Sequence, residues 1–326
     1  MIRFLIIVFA SFAATLATAA PMLLDAAKLR LKSANAVVLD AGDGQSIYQK
    51  AADEVTPIAS LTKLMTAMVV LDAALPRDEA LEVDMDDFDY LKGSRSRLRM
   101  GATLSRDEML RLALMASENR AASSLARHYP GGTNAFIKAM NAKAAALGMR
   151  STHYEDPTGL SPRNVSTAND LARLVRAAAE YPLIREYSTT PAHYVEVQPS
   201  GQTIGFSNSN ALVKNGAWDI QLQKTGYIRE AGRCVVMLAT IGSRPMVIVL
   251  LDSLGTYSRI GDAQRIKHWL ETGEALPTVA LRPAAIRSVA IKGSFKPVAI
   301  KGSFKPIKPA KAAPSKLANN VKVRPG

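Results

Sequence analysis

The sequence holds little with which to build a disulfide or a metal centre: one cysteine and four histidines. A single cysteine, Cys234, excludes an intramolecular disulfide. Within Cys234-Val235-Val236-Met237-Leu238 it reads as a small buried hydrophobe, because no polar neighbour would lower its pKa. His128, His153, His193 and His268 lie far apart without ligand spacing, which argues against zinc. Asp84, Asp86, Asp87 and Asp89 lack the glycine and closing glutamate of a calcium loop. No metal and no cofactor are therefore expected. Beyond the amino terminus no stretch approaches about 18 uninterrupted apolar residues, so the body of the chain carries no membrane-spanning pattern.

Acidic residues are missing from one place. From Arg282 to Gly326 there is no Asp or Glu, whereas 11 of the 41 Lys and Arg fall there. With Arg3 also set aside, 29 basic residues face 28 acidic ones, so the formal charge of +13 is a property of the tail. It does not call for nucleic acid as a partner of the body. The tail also repeats itself: Val289–Pro297 recurs unchanged as Val298–Pro306, followed by a run rich in proline and lysine. Such a segment cannot pack a core and is expected to be disordered. It is either an electrostatic adhesive for an anionic wall or membrane surface or a solubilising extension. At the other end, Arg3, the apolar run Phe4–Leu16 and Ala17-Thr18-Ala19 make a secretory signal. The expected organisation is a leader at 1–19, a catalytic domain at 20–276 and a basic tail at 277–326. A soluble or loosely surface-associated protein of the periplasm follows.

Ala34–Asp40 and Gln45–Gln49 flank a Gly-Asp-Gly turn and read as a hairpin. A helical middle follows. Ser105 with Glu108 forms a capping box for Met109–Ala116, Arg120–His128 resumes the pattern, and Asn134–Leu147 ends at Gly148. Thr167 with Asp170 opens a helix to Glu180. Strand-like runs then occupy Tyr194–Val197, Thr203–Phe206, Ile220–Leu222, Cys234–Ile241 and Met246–Leu251, before a closing helix, Arg259–Glu271. Strands at both ends of one domain predict an α+β fold. Its mixed, largely antiparallel sheet is completed by both chain ends and flanked by helices, with an all-helical subdomain.

Pro57–Leu71 is apolar almost throughout, yet it carries Ser60 and Lys63 three residues apart, hence on one helix face. A lysine there either snorkels or serves as a base. A serine needs its proton removed before it attacks, and a lysine removes it only as the neutral amine. Burial and neighbouring positive charge favour that form. A second cation is available in Lys224-Thr225-Gly226, placed at the end of the strand Ile220–Gln223, where the glycine lets a substrate backbone approach. Ser117-Glu118-Asn119, between two helices, supplies a hydroxyl that can relay a proton to a leaving amine and an amide that can orient a peptide bond. A Lys-Thr-Gly tripeptide arises by chance in a chain of this length roughly 4% of the time, so the ordered set favours catalysis.

This set resembles the active-site-serine penicillin-binding proteins and β-lactamases. Ser60–Met68, Ser117–Ala122, His128–Gly132 and Asp156–Ser161 look like the low-molecular-mass D-alanyl-D-alanine peptidases, and the second and third of these most like the endopeptidases among them. The likeness spans about Ala34 to Leu270. It implies a β-lactamase/D,D-peptidase fold, peptidoglycan stem peptides as substrates and β-lactams as inhibitors. By motif position it implies Ser60 as acylated nucleophile, Lys63 as base, Ser117 as proton relay and Asn119 as binder of the substrate amide. Lys224, Thr225 and Gly226 would hold the substrate's backbone and carboxylate. The N–H groups of Ser60 and Tyr227 would form the oxyanion hole, and Arg259 would receive a carboxylate. Glu118 stands where class A β-lactamases have aspartate, and no deacylating glutamate motif is present, which counts against β-lactamase activity. The residues after the closing helix are neither strand-like nor amphipathic, unlike the second domain and anchor of the carboxypeptidase relatives. Cross-link endopeptidase is the favoured activity. The alternatives are D-alanyl-D-alanine carboxypeptidase and a non-catalytic wall-binding protein.

Overall fold

A computed structural model of the protein describes residues 24–277, so the leader and the basic tail lie outside the described residues. The chain starts its sheet with β1 (Ser33–Asp40) and β2 (Ser46–Lys50), joined by the expected tight turn. Then come β3 (Thr56–Pro57), a 3₁₀ turn at Ala59–Leu61 and α1 (Thr62–Asp72). Two short strands, β4 (Ala80–Glu82) and β5 (Thr103–Ser105), bracket an acidic run that ends at Asp89 and a basic loop, residues 92–99. The helical middle is α2 (Arg106–Met115), α3 (Asn119–Arg127) and α4 (Gly132–Ala146). Beyond it lie β6 (Val165–Ser166), α5 (Ala168–Ala179) and α6 (Pro182–Thr189). A hairpin, β7 (Ala192–Val197) with β8 (Gln202–Ser207), and a short α7 (Ala211–Lys214) lead into β9 (Asp219–Ile228), β10 (Gly232–Ile241) and β11 (Arg244–Ser253). Helix α8 (Ser258–Thr272) closes the described chain.

The main sheet has the order β2-β1-β11-β10-β9, every neighbour antiparallel. Both chain ends complete it, since β1 pairs with β11 with Val37 opposite Val249. Strand alternation divides the apolar residues between two cores. Ala36, Val38, Met237, Ile248 and Leu250 pack with Trp269 of α8. Val37, Leu39, Val236, Val247 and Val249 face the other way, against the core of α1 to α6. Buried Asp262 of α8 fixes the start of β1, accepting from the Ser33 N–H and its hydroxyl at 2.7 Å each.

Four details differ from the sequence-based expectation. Lys224-Thr225-Gly226 does not end a strand: it lies inside β9, which continues to Ile228 because Lys224 is buried and remains paired, opposite Val236. The capping box at α2 is half formed. Ser105 accepts from the Glu108 N–H at 3.1 Å, but the Glu108 carboxylate turns to His193 at 2.8 Å. The strands at 192–207 make a separate hairpin rather than joining the main sheet. The sequence reading also missed α6, which matters for the site. Ser188 of α6 takes hydrogen bonds from the Gln223 N–H (3.3 Å) and side chain (2.7 Å), so α6 covers the first half of the β9 edge. The second half, Thr225 to Tyr227, faces the 3₁₀ turn that carries Ser60.

Candidate active site

Ser60 sits in the turn before α1, half-buried, and Lys63 lies one helical step further in, fully buried. The Lys63 Nζ is 2.9 Å from Ser60 Oγ, 2.7 Å from Asn119 Oδ1 and 2.7 Å from the Thr158 carbonyl oxygen. Full burial with three polar partners excludes a snorkelling lysine and suits a base. A neutral amine has two hydrogens and one lone pair. Asn119 Oδ1 and the Thr158 carbonyl oxygen can only accept, so they take the two hydrogens and the lone pair falls to the Ser60 hydroxyl. After the proton moves, the ammonium still has three acceptors. Burial pushes the Lys63 pKa down to about 8, against the opposing pull of Asp156, Glu118 and Asp89.

The loop Asp156–Ser161 presents the Thr158 carbonyl. One Asp156 oxygen accepts from the Thr158 N–H and hydroxyl (2.5 and 2.6 Å) and from the Gly159 N–H (2.7 Å), and the other from the Ser161 N–H (2.8 Å). Such a knot holds the loop rigid. Gly159 has φ +82°, and a Cβ on it would lie 1.9 Å from the Ala59 carbonyl oxygen. Only glycine lets this loop press against the nucleophile turn. In the sequence Asp156–Ser161 stood out only by its family likeness, with no part in the site for Thr158 or Asp156. A backbone carbonyl leaves no residue-type signal, so nothing in the spacing points to it. Ser94 was missed as well: it accepts from Asn119 Nδ2 at 2.8 Å and fixes that amide.

The second cluster centres on Ser117, at a left-handed φ of +60° between α2 and α3. Ala59, just before Ser60, is also left-handed at +48°, so both serines sit beside or within strained turns, each costing about 1–3 kcal/mol. Ser117 was expected to relay a proton to a leaving amine, and it makes no hydrogen bond to Lys63. Its hydroxyl instead accepts from Lys224 Nζ at 2.9 Å, and Lys224 also donates to the Thr225 carbonyl at 3.0 Å. Burial, then the charges of Lys63 and Arg259, hold the Lys224 pKa well below the usual amine range. Thr225 Oγ1 donates to Ser209 Oγ at 2.8 Å, a residue the sequence reading did not single out. A Cβ on Gly226 would come within 3.1 Å of the Ser60 nitrogen, which shows how closely β9 passes the nucleophile. The Gln223 N–H points off the sheet toward α6, so by strand alternation those of Thr225 and Tyr227 point off the same edge, where the Ser60 turn lies. The Tyr227 side chain is exposed. Arg259 is half-buried beside these strands, donating to the carbonyls of Gly226 at 3.1 Å and Cys234 at 3.3 Å. All nine residues singled out in the sequence thus fall at or beside one cleft between the helical layer and the β9 edge.

An antiparallel sheet completed by both chain ends, a helical layer and a serine–lysine pair facing an edge strand define the class of active-site-serine D,D-peptidases. The solved Streptomyces K15 DD-transpeptidase aligns with a TM-score of 0.69 at 28% identity, covering 74% of this chain and 98% of that one. Penicillin-binding protein D2 of Listeria monocytogenes in its ampicillin-bound form aligns at 0.64 and 29% identity, covering 74% and 97%. The chain belongs to the peptidase S11 family, D-alanyl-D-alanine carboxypeptidase, whose pattern matches residues 22–255. It is 53% identical over 252 residues to a D-alanyl-D-alanine endopeptidase of Pseudomonas aeruginosa, covering 77% of this chain and 81% of that protein. With the D-alanyl-D-alanine endopeptidase of Escherichia coli it shares 49% identity over 255 residues, covering 78% and 82%. Among the described residues no helix is long and apolar enough to cross a membrane.

Proposed function

We propose that this protein is a periplasmic serine D,D-peptidase that cuts D-alanyl-D-alanine cross-links between peptidoglycan stem peptides through an acyl-enzyme on Ser60. The observation that carries the reading is the hydrogen-bond set of Lys63, which leaves its lone pair for the Ser60 hydroxyl. Lys63 takes the Ser60 proton as Oγ attacks the D-alanyl carbonyl. The oxyanion forms between the N–H groups of Ser60 and Tyr227. The substrate lies as an added strand along Thr225–Tyr227, the half of the edge that α6 leaves open. Lys224 and Thr225 hold its backbone and carboxylate, Gly226 admits it, and Arg259 adds positive charge on the same side. Asn119 has one hydrogen and one lone pair beyond those used by Ser94 and Lys63, enough for the substrate amide. The Ser117 hydroxyl accepts from Lys224, so its own proton is free to go to the leaving amine. The net transfer is the Ser60 proton to that amine: Lys63 takes it in, Ser117 gives its own proton out, and the Lys63 ammonium makes good that loss. That last step needs the two side chains to meet in the substrate complex, since without substrate Ser117 bonds Lys224. Water then hydrolyses the ester, and β-lactams acylate the same serine.

The two relatives of highest identity quoted above are named endopeptidases, which supports cross-link cleavage. Relatives at lower identity, such as the Streptomyces K15 protein at 30%, are named D-alanyl-D-alanine carboxypeptidases, and that activity is the second reading. In this reading residues 1–19 are a cleaved leader and 277–326 a basic extension, either an adhesive for the anionic wall or membrane or a solubilising segment. Purified cross-linked dimers and uncross-linked pentapeptides, incubated separately with the enzyme, test the activity. Monomers are expected from the dimers. Release of terminal D-alanine alone, with dimers untouched, would leave the carboxypeptidase reading in its place.

A further inference from the structure

Two cavities flank the cleft, and they differ in size and charge. One, of about 140 Å³, shares Asn119 and Thr158 with the Lys63 cluster and is walled by Asp87, Asp89, Phe88 and Tyr90. The other, of about 460 Å³, lies between the basic loop, the turn that carries Ser117 and the end of β8, walled by Arg95, Arg97, Ala116, Glu118, Phe206 and Ser207. Ala116 and Glu118 bracket Ser117, and Ser207 precedes by two residues the Ser209 that Thr225 bonds. The larger cavity therefore adjoins the end of the cleft where Ser117 meets the leaving amine.

Its walls carry uncommitted positive charge. Arg97 is fixed, donating to the Gly205 carbonyl and lying 5.5 Å over the Phe206 ring, with the remaining guanidinium donors unspent. Arg95 is exposed and, among the described residues, has neither ion pair nor hydrogen bond. Glu118, a residue 8% exposed whose carboxylate accepts from the Arg120 N–H at 3.3 Å, offsets one of the two charges, so the wall keeps a net positive charge. A cavity with two guanidiniums and an aromatic wall suits a planar anion.

We propose that Arg95 and Arg97 form a subsite for a carboxylate on the leaving, amine-side strand of the substrate, so that the basic loop selects cross-linked peptides that carry such a group. This rests on the endopeptidase reading, because a leaving D-alanine alone would not extend past the Ser117 turn. The test uses two synthetic cross-linked peptides that differ only in a free carboxylate or a carboxamide at the far end of the amine-side strand, beyond the residue that carries the leaving amine, with wild type, Arg95→Gln and Arg95→Lys. Wild type is expected to prefer the carboxylate by about tenfold in kcat/KM, through KM. Arg95→Gln brings the ratio to near one, Arg95→Lys restores part of it, and all three proteins are acylated by penicillin at the same rate. A carboxylate preference that survives Arg95→Gln, or an equal loss on both peptides, overturns the subsite. Wild type that cleaves neither peptide yet is acylated by penicillin overturns the endopeptidase reading itself, a result distinct from a failed subsite.

Discussion

The pH dependence of acylation follows from the surroundings of Lys63. The reactive form is the neutral amine, and burial places the pKa of this group at about 8. The fraction of neutral amine is then about 1% at pH 6, about 10% at pH 7, about half at pH 8 and about 90% at pH 9. The second-order rate of acylation by a fluorescent penicillin, measured by rapid quench, is expected to rise about tenfold from pH 6 to 7. It rises about fivefold from 7 to 8 and less than twofold from 8 to 9. The sign is that of a base: activity is lost as pH falls through the folded-state pKa. Glu118 and Asp156 both hold this pKa up, so Glu118→Gln, which keeps an acceptor for the Arg120 N–H, moves the midpoint to lower pH and accelerates acylation at pH 6. A rate that is flat from pH 6 to 9, or that falls with pH, would refute the role of Lys63 as base.

Further outcomes follow from single contacts. Lys63→Arg keeps the charge and loses the base, because a guanidinium stays protonated, so the acylation rate falls by at least about a thousandfold in a folded protein. Gly159→Ala places a methyl 1.9 Å from the Ala59 carbonyl at a φ that disfavours alanine, and is expected to lower Tm by about 6–12 °C, readable by calorimetry, with slower acylation. Cys234 is buried and its thiol is pushed up to about 12, so a maleimide at pH 8 should leave the native protein unlabelled and label it only after denaturation.

Much of the fold was legible because its elements announce themselves locally. The turn after Asp40, the serine and threonine caps at 105 and 167 and the glycine after α4 all fall where the sequence put them. The site's three motifs were legible as residue types, since side-chain chemistry at fixed spacing survives in one dimension. What was not legible depends on what lies across the chain. Lys224 and Gly226 look like the end of a strand until the sheet shows β10 beside them and the Ser60 turn packed on the other edge. Glu108 looks like a capping partner until His193 competes for it. The Thr158 carbonyl has no side-chain signature at all, and the pairing of Ser117 with Lys224 rather than Lys63 is set by tertiary distances of a few ångströms.

The central claim is that Ser60 is the residue acylated. Intact-mass measurement after exposure to benzylpenicillin, followed by proteolysis and fragment sequencing, tests it directly. One adduct per chain is expected, on the peptide that contains Ser60, and none on Ser60→Ala. An adduct located on Ser117 or elsewhere, or one that persists in Ser60→Ala, would contradict it.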